Sequence, residues 1–454
     1  MLLAVLRWSA CLMAQARPFL SKSRLISAAQ CPKKVHLEKH HPELGVITAQ
    51  MESAFAGGHE VGGIAQKLYG TEESVEVAFD FKTMVAETRR LIDDSVDFPI
   101  FEATFRHENV LVRADIMIPE GDGWHVIEVK ASASVKDYHV LDCAIQDWVL
   151  RNSGINVLSI SLAHINNQFV YQGDGNYEGL LLENDLTEQV REMEYDVLEL
   201  VATAREAVSG PLPVIDVSPH CNKPYKCQFI SHCRPAEDVS GEPELTPGAR
   251  EILEALPYPR YYLDFETIGP AIPIWAGTRP YETLATQWSC HIEEESGDLR
   301  HDEFLDLSGE APMRTLAERM IECLGESGPV LMYTTYERTV INGLIEMFPD
   351  LEESLTKIVN RLWDLHPLVK AHYYHPAMLG SWSIKAVLPC IAPHMDYAEL
   401  EGIKQGTAAS DGFLEAINPQ TDSARKAELE KQLLRYCRFD TEAMVEIVRA
   451  LSVS

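Results

Sequence analysis

The chain has 454 residues, enough for two or three domains with cores of their own. Its 46% apolar and 24% charged content is that of an ordinary globular protein. Lys and Arg number 39 against 69 Asp and Glu, a formal charge of −30, which weighs against a general basic clamp on nucleic acid but not against an enzyme that grips phosphates through metal ions and a local basic patch.

Residues 1–21 are apolar, but Arg7 and Arg17 interrupt the run before it reaches the ~18 residues of a membrane span. They are read as a disordered extension. A transit peptide is the alternative, since no acid precedes Glu38. No other stretch is a candidate to span a membrane, so no membrane partner is expected. The 10 cysteines, with no clear secretory context, point to a reducing compartment and a cytoplasmic location, where metal or cluster ligation is favoured over disulfides.

The first domain is expected over residues 22–235. Ser27 is a candidate helix cap ahead of Cys31. Gly57, Gly58, Gly62 and Gly63 read as a glycine-dense bend that lacks the Gly-Lys-Ser/Thr of a phosphate loop. A strand through Asp115, a turn at Gly121-Asp122-Gly123 and a second strand through Glu128 and Lys130 form a hairpin. Glu128 and Lys130, two apart on a strand, share a face. An acid, a turn and then Glu-x-Lys suit metal-assisted phosphodiester hydrolysis: Asp115 and Glu128 hold the ion, and Lys130 steers water and offsets transition-state charge. The bland alternative is a surface hairpin, disfavoured because both acids sit in apolar strands.

Asp115…Glu128-Val129-Lys130 resembles the PD-(D/E)XK nuclease superfamily. The helix that follows places Gln146 where RecB-type members carry a helical Gln; Leu150 stands where they usually have Tyr, and Gly62 aligns where they often have His, with His59 or Glu60 as substitutes. Cys221, Cys227 and Cys233 follow as C-x5-C-x5-C. With Cys31 they give four thiolates, a pattern similar to the iron–sulfur RecB-type nucleases of CRISPR adaptation and recombinational repair. The resemblance implies a structural [4Fe–4S] cluster. A four-cysteine zinc site is the alternative, with His220 and His232 as spare donors, although zinc cysteines usually pair at closer spacing.

Residues 236–257 read as a linker by composition, with a short helix near 250–255. The second domain is expected over 258–454. Its opening strand, Tyr261-Tyr262-Leu263-Asp264-Phe265-Glu266, sets two carboxylates on one face, where they repel unless a cation such as Mg²⁺ or Mn²⁺ lies between them. A loop through Pro280, an antiparallel strand over 286–293 and a buried strand over 330–337 ending in Glu337 follow. A last helix over 424–451 turns Leu429, Leu433, Cys437, Met444, Ile447 and Leu451 inward, and with them Asp440, one turn from Tyr436.

Asp264-Phe265-Glu266, Glu337 and Tyr436-x3-Asp440 together resemble the DEDD exonuclease superfamily in its DEDDy branch, where the Tyr orients the attacking water. Residues 262–280 closely resemble an uncharacterised bacterial family in which such a domain follows an iron–sulfur nuclease domain. The resemblance, over nearly the whole chain, implies an α/β protein: a PD-(D/E)XK restriction-endonuclease-like domain, then an RNase H-like domain with a mixed sheet. The function implied is a Mg²⁺- or Mn²⁺-dependent nuclease in DNA processing, repair or defence, with DNA favoured over RNA as partner. The competing expectations are a nucleic-acid-binding iron–sulfur scaffold, or one active and one degenerate site.

Overall fold

The chain is described by a computed structural model over residues 18–234 and 239–453, less the side chains at 49 and 50. Residues 1–17 of the expected extension and 235–238 of the expected linker lie outside the described residues. The structure is α/β and divides into two compact units. The first holds the chain up to Ile47, Gly58–Asn166 and Tyr177–Arg234; the second holds Thr48–Gly57, Asn167–Asn176 and the chain from Pro235.

In the first unit the strands are Leu20–Ser21 (β1), Val75–Glu76 (β2), Ile100–His107 (β3), Val110–Glu120 (β4), Gly123–Lys130 (β5), Val157–Ile165 (β6) and Leu181–Asp185 (β7). They form one mixed sheet in the order β2-β3-β4-β5-β6-β7, with β1 parallel to β4. The β4–β5 hairpin closes over Gly121-Asp122; Gly121 has φ 55°, the left-handed conformation that a two-residue hairpin turn needs. β6 lies parallel to β5, and the helix Asp137–Asn152 makes the crossover. That helix is buried along most of its length, from Val140 to Leu150, as its apolar surround requires.

Three local expectations differ from the structure. Leu20, placed in the extension, is fully buried and pairs with Val110. Ser27 lies inside the helix Lys22–Gln30 and donates to Glu38 Oε1 at 2.8 Å; the cap is Ser21, whose Oγ accepts from Arg24 N. The glycine-dense segment is no bend but part of one helix, Ala49–Tyr69. Each glycine there weakens a helix by up to ~1 kcal/mol. Burial of Val61 and Ala65, the latter against Phe101, Ile116 and Ile127, offsets this.

In the second unit the strands are Glu244–Leu245 (β8), Arg260–Ile268 (β9), Leu284–Glu293 (β10), Leu299–Leu305 (β11), Val330–Met332 (β12), Leu362–Asp364 (β13) and Tyr373–Tyr374 (β14). The main sheet runs β11-β10-β9-β12-β13, and β8 pairs with β14. β9 lies inside it, antiparallel to β10 and parallel to β12. The helix Ser423–Ser452 buries the apolar set anticipated for it. Part of the expected linker belongs to this core: the helix Ala249–Glu254 buries Ala249 and Leu253. The strand expected through Glu337 stops at Met332; Thr334 turns the chain at φ 79°, and Glu337 falls in the first turn of the helix Tyr336–Met347. No helix among the described residues is long and apolar enough to cross a membrane.

Candidate metal centres

β9 presents Asp264 and Glu266 on one face, and two helices bring the other groups to it: Glu337 from Tyr336–Met347, and Tyr436, Cys437 and Asp440 from Ser423–Ser452. The donor atoms of Asp264, Glu266 and Cys437 lie within 4.8 Å of one another. Burial, then the charges of Asp440, Glu266 and Glu337, pushes the Asp264 carboxyl well above its usual range. Burial and Asp440 do the same to Glu266, against the pull of Lys385. Burial carries Glu337 to about 8, and its buried Oε2 has no hydrogen-bond partner. Burial also lifts Asp440, to about 6, although Tyr397, Lys385 and Tyr436 pull it down. Four carboxyls thus compete for protons that a hard divalent cation would replace.

Tyr397 OH donates to Asp440 Oδ1. Lys385 Nζ donates to Tyr436 OH at 2.8 Å and lies 5.1 Å from the ring centroids of both Tyr397 and Tyr436. With that lone pair taken, the Tyr436 proton is directed elsewhere, and its hydrogen bond helps hold the Asp440 carboxylate. Cys437 Sγ lies 3.8 Å from Asp264 O and 3.9 Å from Asp264 Oδ2, and burial, then the charges of Asp264, Glu266 and Asp440, push its thiol well up. The carboxylate oxygens are hard donors of the kind a divalent cation takes.

The first unit gathers Asp115, Glu128, Lys130 and Gln146 at a second site. Glu128, only 2% exposed, accepts at Oε1 from Lys22 at 2.8 Å and from Lys130 at 2.5 Å, and at Oε2 from Gln146 Nε2. Lys130 also donates to Asp142 Oδ2 at 2.5 Å, and Lys22 Nζ lies 3.3 Å from Asp142 Oδ1. Asp115 Oδ2 accepts from Val129 N at 2.7 Å. Burial and Glu128 push Asp115 to about 8, with Lys22 and Lys130 opposing. Burial would raise Glu128 too, but Lys130 and Lys22 hold it below the usual carboxylate range. His59 and Glu60 are exposed on their helix, and Leu150 is core.

Cys31, at the junction of the helices Lys22–Gln30 and Pro32–His40, shares one cavity with Cys221, Cys227 and Cys233. All four are free thiols. Cys227 N donates to Cys221 O at 2.7 Å, and Gln30 Nε2 ties the loop to the helix through His220 O and Tyr225 O. Burial pushes the Cys227 thiol up, with Lys34 opposing and Cys221 and Cys31 adding repulsion. His220 lines the cavity; His232 is exposed. Zn–S bonds of ~2.3 Å in a tetrahedron set sulfurs about 3.8 Å apart. Among the described residues, the three-ligand group drawn within 4.8 Å is Asp264, Glu266 and Cys437, not a set of these thiols.

Sequence reasoning did not single out Lys22, Asp142, Lys385 and Tyr397 as site residues, and saw Cys437 only as an apolar position. Each joins its site through the tertiary fold.

Residues 261–383 match the model of a family described as a domain of unknown function, DUF2779. That span holds Asp264, Glu266 and Glu337 and ends short of Lys385 and Asp440. Among solved structures, the crystal structure of SSO0001 is similar to this chain at 16% sequence identity and a TM-score of 0.25, over 42% of this chain and 75% of that one. No curated protein matches.

Proposed function

We propose that the protein is a metal-dependent nuclease whose second unit is an RNase H-like, DEDDy-type 3′→5′ exonuclease, acting on DNA before RNA in the cytoplasm. The observation that carries this reading is the convergence of Asp264, Glu266, Glu337 and Asp440, all with carboxyls raised above their usual range. Such a group is electrostatically incomplete without a cation. Bound Mg²⁺ or Mn²⁺ would polarise the scissile phosphate and acidify the attacking water. The four carboxylates would hold the ions. Tyr436, fixed by Lys385 at 2.8 Å, keeps its hydroxyl oriented to position that water. Lys385 adds positive charge where the phosphate gains negative charge.

The first unit is read as a PD-(D/E)XK domain in which Asp115 and Glu128 hold an ion, Lys130 serves the transition state and Gln146 fixes Glu128, stapled by a [4Fe–4S] cluster on Cys31, Cys221, Cys227 and Cys233. A second reading, with this first site degenerate, is favoured by one observation: both oxygens of Glu128 already have partners. The test is an assay on 3′- and 5′-end-labelled single- and double-stranded DNA and RNA with Mg²⁺ or Mn²⁺. Stepwise mononucleotide release from 3′ ends is expected. Its absence on every substrate would sink the exonuclease.

A further inference from the structure

The two carboxylate sites are balanced differently. The second unit sets four carboxyls against Lys385. The first sets Asp115, Glu128 and Asp142 against two ammonium groups, Lys22 and Lys130. Lys130 belongs to the strand that carries Glu128. Lys22 does not: it arrives from 106 residues earlier in the chain.

Its placement is built. β1 docks Leu20 and Ser21 beside Val110 and Leu111, and Ser21 caps the helix that Lys22 begins. A cation in the first turn faces the positive end of the helix dipole, and that turn holds no acid to offset it. Helix electrostatics alone disfavour Lys at this position. Glu128 and Asp142, at 2.8 and 3.3 Å from its Nζ, supply what the helix lacks.

We propose that Lys22 is a second resident cation of the first unit's carboxylate site, standing beside Lys130 between Glu128 and Asp142 and taking charge that a divalent ion would otherwise meet. The inference rests on the reading of this site as a metal centre and deepens it. Lys22 is a positioning residue: it sets how many ions the site accepts. With Lys22 in place, two ammonium groups stand against three acids, which limits the site to at most one Mg²⁺ or Mn²⁺. The second unit, with four acids and Lys385, has charge for two.

The test uses the full chain with Asp264→Asn and Asp440→Asn, which weaken the second unit's site, and reads Mn²⁺ binding by the loss of the free-ion electron paramagnetic resonance signal. Adding Lys22→Met, which keeps the length of the side chain and removes its charge, should tighten Mn²⁺ binding about 10-fold or more, or admit one further ion. Lys22→Arg should bind as the parent does. Adding Asp115→Asn to the Lys22→Met protein should abolish the gain, which assigns it to this site. Unchanged or weaker binding in Lys22→Met, with the thermal melt retained, overturns the proposal. No Mn²⁺ at this site in the parent but clear binding in Lys22→Met upholds the role of Lys22 and overturns the metal-dependent reading of the native site. Equal gains in Lys22→Met and Lys22→Arg overturn the proposal too, because the charge would then not be what excludes the ion.

Discussion

The Lys385 ammonium donates to the Tyr436 hydroxyl at 2.8 Å, across 51 residues of sequence. That contact occupies one lone pair of the phenol and leaves its proton for another acceptor. Lys385→Met should leave the fold intact and lower kcat for 3′ nucleotide release about 10- to 100-fold, with a smaller change in KM, because a misaligned group loses transition-state contacts first. Lys385→Arg should recover part of it. Single-turnover rates on an end-labelled oligonucleotide check this, and wild-type rates in Lys385→Met would remove Lys385 from the site.

The raised carboxyls give the metal-free protein a pH dependence of definite sign. Asp440, at about 6, and Glu337, at about 8, bind protons more tightly folded than unfolded, where they titrate near 3.8 and 4.5. Their contribution is fully present below about pH 4 and is lost as pH rises through those folded values. In chelator, the melting temperature of the second unit should therefore fall between pH 5 and pH 8, and Mg²⁺ should restore it more at pH 8 than at pH 5. A melt that is flat across this window would refute the clustering of uncompensated charge.

Asp264→Asn removes one of the four competing carboxyls. Activity should vanish, while the metal-free protein gains about 1 kcal/mol of stability from the relieved repulsion. Loss of both together would mean that Asp264 is held by partners rather than frustrated by neighbours. Denaturant melts in chelator separate the two cases.

In the first unit the sign reverses. Glu128→Ala strips the shared partner from Lys22 and Lys130, whose side chains are 19% and 25% exposed. Leaving two largely buried ammonium groups to share Asp142 alone should destabilise that unit by about 3 kcal/mol. Hydrogen exchange on β4 and β5 should rise accordingly.

Protein purified without oxygen should be brown and hold about four iron and four sulfide per chain. Cys227→Ser should bleach it and loosen the first unit, because the group closes a long loop from Cys31 to Cys221. Colourless protein with one bound zinc would replace the cluster and keep the four-thiol site.

What the sequence made legible is what short-range geometry fixes. The i, i+2 rule puts Asp264 beside Glu266 and Glu128 beside Lys130, and the helical period turns Asp440 inward. The hairpin turn and the last helix follow from local pattern for the same reason. Lys22, Lys385 and Tyr397 were not legible in their roles, because a lone polar residue near a helix start or in a short turn reads as solvated. Their partners lie 106, 51 and 43 residues away. The Ala49–Tyr69 helix shows the opposite failure: a strong local signal from four glycines yields to burial of Val61 and Ala65.

The chain does not finish one unit before it begins the next. Tyr171, from a segment between β6 and β7, donates its N–H to Thr278 O at 3.0 Å and accepts from Gly277 N at 2.8 Å, while Ser53 donates to Asp411 Oδ1 at 2.9 Å. These segments belong to the second unit, though they are encoded within the first. A gene severed near codon 235 would therefore yield no faithful copy of either half. The downstream product would lack backbone partners for the loop that follows β9, and the upstream one would carry two orphaned strips. The units have separate cores but are not interchangeable modules, so they are inherited, and must be dissected, as one polypeptide.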